Sequence, residues 1–108
     1  MFRAEAALER RILKACKSLG VLCIKFKDPG RRGAPDRLLL APNGRAGFLE
    51  LKAPGKMPRR EQQAYLALLE AQGFATMCTD DFLEAITWIG WLCGDGKPVE
   101  PFSTVGRW

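Results

Sequence analysis

Hydrophobic positions in the first part of the chain recur at helical spacing over residues 3–19. The apolar stripe consists of Ala6, Leu8, Ile12, Leu13, Cys16 and Leu19. Gly20 follows the stripe, and glycine is a common residue just after a helix end. The pattern predicts a first helix that buries one face.

Glu9 lies in this helix one turn before Ile12, close to the apolar stripe. It can therefore point toward a sheet that packs on the helix. The alternative is a solvated glutamate that pairs with Arg11 or Lys14, and helical spacing alone favours this alternative.

Shorter apolar segments follow, with the alternation and the flanking turn residues that are typical of β-strands. They predict strands over residues 21–27, 36–41, 45–52 and 74–79. The two middle strands carry leucine on both of their faces, so helices are expected to cover both sides of the sheet.

Two further helices are predicted, from about residue 59 to 72 and from about 82 to 92. Gly73 ends the first of them, and Asp81 and Glu84 have capping-box spacing at the start of the second. Trp88 and Trp91 lie beside the apolar stripe of the last helix, where they can belong either to the core or to a subunit interface. Residues 94–108 are predicted to form an irregular tail.

The turn between the middle strands decides whether their acidic residues share a face. A two-residue Asn43-Gly44 turn pairs Asp36 with Leu51, whereas a three-residue loop that begins at Pro42 pairs Asp36 with Glu50. Proline favours the first turn position and glycine tolerates positive φ at the third, so we predict the three-residue loop.

In this register Asp36, Glu50 and Lys52 project from the same side of the hairpin. Two carboxylates with one ammonium form a pocket suited to Mg²⁺ and a phosphodiester. A single Pro-Asp is usually a turn, and a single Glu-x-Lys is usually a half-exposed strand edge. Only their combination predicts a catalytic site.

Composition narrows the possible chemistry. The chain has 108 residues, a net charge of +5, a pI near 9.3 and no histidine. A chain of this length is expected to form one domain, and its positive charge favours a polyanionic partner. The absence of histidine excludes Ser-His and Cys-His catalysis as well as histidine-ligated zinc. The four cysteines form no C-x-x-C pair, and neither a membrane span nor a signal peptide is predicted.

Basic residues are concentrated around the predicted hairpin. Arg31 and Arg32 lie in a glycine-flanked loop, where they can hold DNA phosphates or remain solvated. The further candidates for phosphate contacts are Lys25, Lys27, Lys56, Arg59 and Arg60.

Three segments together resemble the VRR-NUC family of the PD-(D/E)XK nuclease superfamily, in particular its small stand-alone members from phages and prophages. They are residues 25–37, residues 48–55, and Gln62 ahead of Leu69 and Gly73. The resemblance covers roughly residues 5–90. It implies an α/β fold with a restriction-endonuclease-like core, in the order αβββαβ, over a single domain of residues 1–93.

The resemblance also implies an activity and a set of site residues. These proteins are divalent-metal-dependent DNA endonucleases, and the stand-alone members are homodimers that resemble Holliday junction resolvases. By this resemblance, the protein would use Mg²⁺ or Mn²⁺ to cleave branched DNA, in the cytoplasm of a bacterial host. The family's residues fall on Glu9 (with Glu5 as the weaker candidate), Asp36, Glu50, the carbonyl of Leu51, Lys52, and Gln62 as holder of the attacking water.

The chain departs from the family's sequence pattern at one position, and one alternative function has to be weighed against the nuclease. Ala34 stands where a larger aliphatic residue is common, which affects packing more than chemistry. The rival is a basic nucleic-acid-binding module that keeps the nuclease fold without cleavage, and the complete set of acidic and lysine positions argues against it.

Overall fold

Helices and strands alternate along the chain to build a mixed sheet with helices on both faces. The structure is a computed structural model that describes residues 3–94, so most of the predicted tail lies outside the described residues. The elements are α1 (Arg3–Leu19), β1 (Leu22–Lys25), β2 (Arg37–Leu40), β3 (Ala46–Leu51), α2 (Arg60–Ala71), β4 (Ala75–Thr79) and α3 (Phe82–Leu92). No helix in this part of the chain has the length and apolar content needed to cross a bilayer.

The sheet has the strand order β1-β2-β3-β4. The first three strands are antiparallel, and β4 runs parallel to β3. The predicted αβββαβ order with a mixed sheet is therefore confirmed, with α3 following it. The prediction for β1 was too long, because its regular pairing spans only Leu22–Lys25.

The β2–β3 turn adopts the three-residue form. Ala41 N donates to the carbonyl of Arg45 at 2.8 Å, and Leu40 pairs with Ala46. Gly44 has φ +87°, a left-handed conformation that glycine adopts without strain. The predicted register is confirmed, and it sets Asp36 opposite Glu50 one position beyond the last paired residues, Arg37 and Leu49.

The main core lies between the sheet and the pair α1 and α3. Leu39, Leu49 and Leu51 are buried on this face of the sheet. Trp88 is fully buried against Gly47, so of the two alternatives left open for it, core is correct and subunit interface is wrong. Trp91 is half-buried and lies under the guanidinium of Arg45, 4.3 Å from its ring centroid.

The opposite face of the sheet is covered by α2 over only part of its width. Phe26 packs edge-on against Phe48 and Tyr65, with ring centroids 5.1 and 6.2 Å apart. Leu22 and Ile24 on β1 remain 62% and 43% exposed. The expectation that helices cover both faces is thus met at the centre of the sheet and wrong at the β1 edge, since α2 does not extend that far.

The contact between Gly47 and Trp88 leads to a stability prediction. A Cβ added at Gly47 would lie 2.8 Å from the Trp88 ring, so we expect Gly47→Ala to lower the free energy of unfolding by about 1–3 kcal/mol. Gly90→Ala is the matched control, because a Cβ there meets nothing within 4 Å. Alanine in that helix should raise the free energy by about 0.5–1 kcal/mol. Denaturant unfolding of both variants measures the difference, and equal stabilities would contradict the packing described here.

Candidate active site

The two acidic side chains meet where β2 begins and β3 ends. Asp36 Oδ2 accepts a hydrogen bond from the backbone N–H of Leu51 at 3.0 Å, so the aspartate reaches across to the neighbouring strand. The carbonyl of Asp36 accepts from Phe26 N at 3.0 Å, which fixes its backbone on the other side. Glu50, one residue before Leu51, is only 3% exposed. The strand pairing therefore brings the half-buried Asp36 and the buried Glu50 to one location.

Gln62 links Glu50 to Lys52. Its amide nitrogen donates to Glu50 Oε2 at 2.9 Å, and its amide oxygen accepts from Lys52 Nζ at 2.7 Å. The same amide oxygen accepts from the backbone N–H of Arg59 at 2.8 Å, at the start of α2. Lys52 Nζ also forms an ion pair with Glu50 Oε2 at 3.3 Å. The first turn of α2 thus holds the acid and the amine in fixed positions.

The surroundings favour the protonated form of both acids. Burial, followed by the charge of Asp36, raises the pKa of Glu50 to about 7. Burial is also the main cause that raises the pKa of Asp36, and the nearby charge of Glu9 adds to it. In the absence of a cation, two neighbouring buried carboxylates disfavour each other's ionisation.

Glu9 points toward the sheet and not toward Arg11 or Lys14. Its Oε2 accepts from Arg37 Nε at 3.2 Å in an ion pair with side-chain exposures of 22% and 9%. The partner Arg37 was missed by the sequence reasoning. One signal could have identified it: Arg37 follows the Pro-Asp pair and falls on the apolar face of β2, so its side chain is expected to be buried. A buried guanidinium needs an acidic partner, and α1 packs on that face.

The donor set fits a hard divalent cation. Glu50 Oε1 is buried and has no hydrogen-bond partner among the described residues, whereas Oε2 is held by Gln62 and Lys52. A buried carboxylate oxygen without a partner is costly unless a cation meets it. Asp36 and Glu50 are the carboxylates that would hold the ion. Among residues 3–94 no group of three acidic, histidine or cysteine side chains clusters closely enough for a metal, so Glu9 as a ligand stays a prediction.

Most of the predicted DNA-binding residues line three open clefts around this centre. Lys25 and Lys27 line a cleft of about 210 Å³ together with Glu9 and Asp36. Lys56 lines another of about 210 Å³ beside Lys52. The third cleft, of about 360 Å³, includes Arg31 and Arg32 and borders α2; Arg59, just before that helix, and Arg60, its first residue, are exposed.

The raised pKa of Glu50 predicts a pH dependence of the metal-free protein. The folded pKa of about 7 exceeds the ordinary value of 4.5, so the folded state holds this proton more tightly than the unfolded state. The free energy of unfolding in EDTA should therefore fall as the pH rises from about 4.5 to about 7. Glu50→Gln should flatten this dependence and stabilise the metal-free protein at about pH 8.5 by roughly 1–3 kcal/mol.

Thermal melts in EDTA and in Mg²⁺ measure this effect. Mg²⁺ should raise the melting temperature of the unsubstituted protein at high pH and leave Glu50→Gln nearly unchanged. Glu61→Gln is the control, because that side chain is 43% exposed, and it should behave like the unsubstituted protein. A Glu50→Gln protein less stable than its parent at high pH in EDTA would contradict this prediction.

Two of three comparisons with known proteins found likenesses that agree with this geometry. The third, a search of family models, found no match to the chain. The "Putative nuclease p44" of Acyrthosiphon pisum secondary endosymbiont phage 1 is 40% identical over 76 residues, which is 70% of this chain and 82% of that protein. A solved structure described as "VRR_NUC domain" matches with a TM-score of 0.73 and 25% identity, covering 80% of this chain and 94% of that one. The sheet register, the paired carboxylates and these two likenesses lead to one conclusion: the chain belongs to the VRR-NUC family of nucleases.

Proposed function

We propose that the protein is a divalent-metal-dependent DNA endonuclease that selects its substrate by DNA structure. The observation that carries the proposal is the arrangement of Asp36 and Glu50. They converge across paired strands, and one buried oxygen of Glu50 has no partner among the described residues. The lysine next to them and the basic clefts around them fit a phosphodiester substrate.

Asp36, Glu50 through Oε1, and the backbone carbonyl of Leu51 are the groups that would hold Mg²⁺ or Mn²⁺. Hard oxygen donors of this kind suit both ions, and Mg²⁺ keeps several of its waters. When bound, the ion supplies positive charge that polarises the phosphoryl group and acidifies a water. Glu9, predicted as a further ligand, would contribute through the oxygen that does not bind Arg37.

We assign to Lys52 a role at the reacting phosphate. Gln62 and Glu50 hold its ammonium by two contacts, and the ammonium carries three N–H donors in all. A remaining donor can orient the attacking water or offset negative charge that develops in the transition state.

We propose that Gln62 does less to hold the attacking water than the sequence-based prediction assigned to it. Its amide oxygen already accepts two hydrogen bonds, and one of its two N–H groups is used by Glu50. A single amide hydrogen is left to hold the attacking water. We therefore assign Gln62 first to positioning Lys52 and Glu50, and second to contacting that water.

DNA would be bound mainly through its phosphates. The lysine and arginine side chains around the clefts provide charge without base readout, so shape and not sequence would select the substrate. A two-fold dimer would present two such sites, which suits paired nicks across a branched junction in the cytoplasm of a bacterial host.

Substitution of the central residues tests the enzymatic proposal. Glu50→Ala and Lys52→Ala should each lower cleavage by about 100-fold or more, since the first removes a carboxylate that would hold the metal and the second an ammonium that would offset charge on the reacting phosphate. The measurement is a gel assay with labelled four-way junction, flap and linear duplex in Mg²⁺ or Mn²⁺. Lys14→Ala, an exposed lysine on α1, is the matched control and should cleave normally. DNA binding without cleavage in every metal would instead support the non-cleaving module.

The dimer is tested separately. Size-exclusion chromatography with light scattering should give twice the 12.0 kDa mass of one chain. The same protein should nick both strands of a four-way junction within one bound complex, because two sites face the junction at once. A monomer at concentrations that support cleavage would rule out symmetric resolution of junctions.

A further inference from the structure

Tyr65 on α2 is hydrogen-bonded to the loop that carries the paired arginines. We call residues 28–33 the arginine loop. The Tyr65 hydroxyl donates to Asp28 Oδ2 at 2.8 Å, and Asp28 Oδ1 accepts from the backbone N–H of Gly30 at 3.0 Å. The carbonyl of Asp28 accepts from Arg31 N at 3.3 Å. One aspartate therefore joins the loop backbone to a buried tyrosine.

The other end of the arginine loop rests directly on α2. Gly33 has φ +86°, and a Cβ at this position would clash with the backbone carbonyl of Glu61. Only glycine permits so close an approach. The loop is thus attached to α2 at both ends, by the tyrosine hydrogen bond and by backbone contact.

The attached loop and α2 enclose the third cleft. Arg31 and Arg32 form one side, and Ala64 with the 42% exposed Leu68 contributes an apolar surface on the other. Within the described part of the chain neither guanidinium has an ion-pair partner. Glu61, which also lines the cleft, is paired with Arg59 at 3.5 Å. Two unpaired cations beside an apolar surface suit one strand of DNA, with its phosphate on the arginines.

We propose that Tyr65 and Asp28 are positioning residues that hold the arginine loop in its DNA-binding conformation, so that they set the affinity for DNA and not the rate of cleavage of bound DNA. This proposal rests on the proposed endonuclease function. A loop held in place before binding loses less conformational freedom when DNA arrives.

The test separates binding from chemistry. Fluorescence anisotropy with a labelled four-way junction, in Ca²⁺ to prevent cleavage, gives the dissociation constant over a range of salt concentrations. Tyr65→Phe keeps the ring that packs on Phe26 and removes only the hydroxyl. It should weaken binding about three- to tenfold. The slope of log affinity against log salt should fall in magnitude by about one, as one phosphate contact is lost. The single-turnover rate in Mg²⁺ at saturating DNA should stay within about twofold of the parent.

Variants at Asp28 identify the hydrogen bond as the cause. Asp28→Ala should reproduce the Tyr65→Phe effect, and the double variant should be no weaker than either single one, because both remove the same contact. Asp28→Asn should bind almost as the parent does, since its amide can donate to the tyrosine hydroxyl and still accept from Gly30. Thr87→Ala is the control, because it removes a hydroxyl hydrogen bond to Leu83 on α3, on the opposite face of the sheet. It should leave affinity and slope unchanged.

The outcomes distinguish this proposal from the proposed function. Unchanged affinity and salt slope in Tyr65→Phe and Asp28→Ala would overturn the positioning role and leave the endonuclease proposal unaffected. A reduced rate at saturating DNA with normal affinity would also overturn it and would place Tyr65 with the catalytic network. If the unsubstituted protein binds no DNA, the endonuclease proposal itself fails.

Discussion

The pairing register of β2 with β3 is the constraint on which the site depends. A shift by one residue would turn Asp36 to the opposite face of the sheet and would expose the leucines that now form the core. The turn at Gly44, whose positive φ closes a three-residue loop, holds the register at one end. At the other end Asp36 itself contributes, because its carboxylate accepts the N–H of Leu51. The same residue therefore helps to align the strands and belongs to the site.

This register creates a conflict between stability and function. Leu39, Leu49 and Leu51 must face α1 and α3, so the acids necessarily face α2. There Gln62 satisfies one oxygen of Glu50 and leaves the other buried without a partner among the described residues. Burial of two adjacent acids disfavours the folded state at neutral pH, and a bound cation would remove that cost. The apolar face of the same strands provides the stability that makes such a site tolerable.

Much of the fold was predictable because it depends on local patterns. Helical and alternating periodicity located the elements, and turn chemistry at Gly44 fixed the register that brings Asp36 and Glu50 together. The failures concern partners that are distant in sequence. Periodicity placed Trp88 beside the apolar stripe of its helix but gave no sign of the space above Gly47 that receives it. The exposed edge at Leu22 depends on how far α2 extends over the sheet, which no local pattern encodes.

The pairing of Glu9 with Arg37 shows how a missed residue affects the predicted site. Glu9 raises the pKa of Asp36 and Arg37 lowers it, so Arg37 offsets part of the negative charge that Glu9 presents to that carboxylate. Arg37 thus allows a third acid to approach the centre with less repulsion toward Asp36 than Glu9 would exert alone. Because Arg37 uses Oε2 of Glu9, the other oxygen is left for a ligand. The ion pair fixes α1 against the sheet. The predicted role of Glu9 therefore depends on Arg37, a partner on β2 that the residues around Glu9 in the sequence do not indicate.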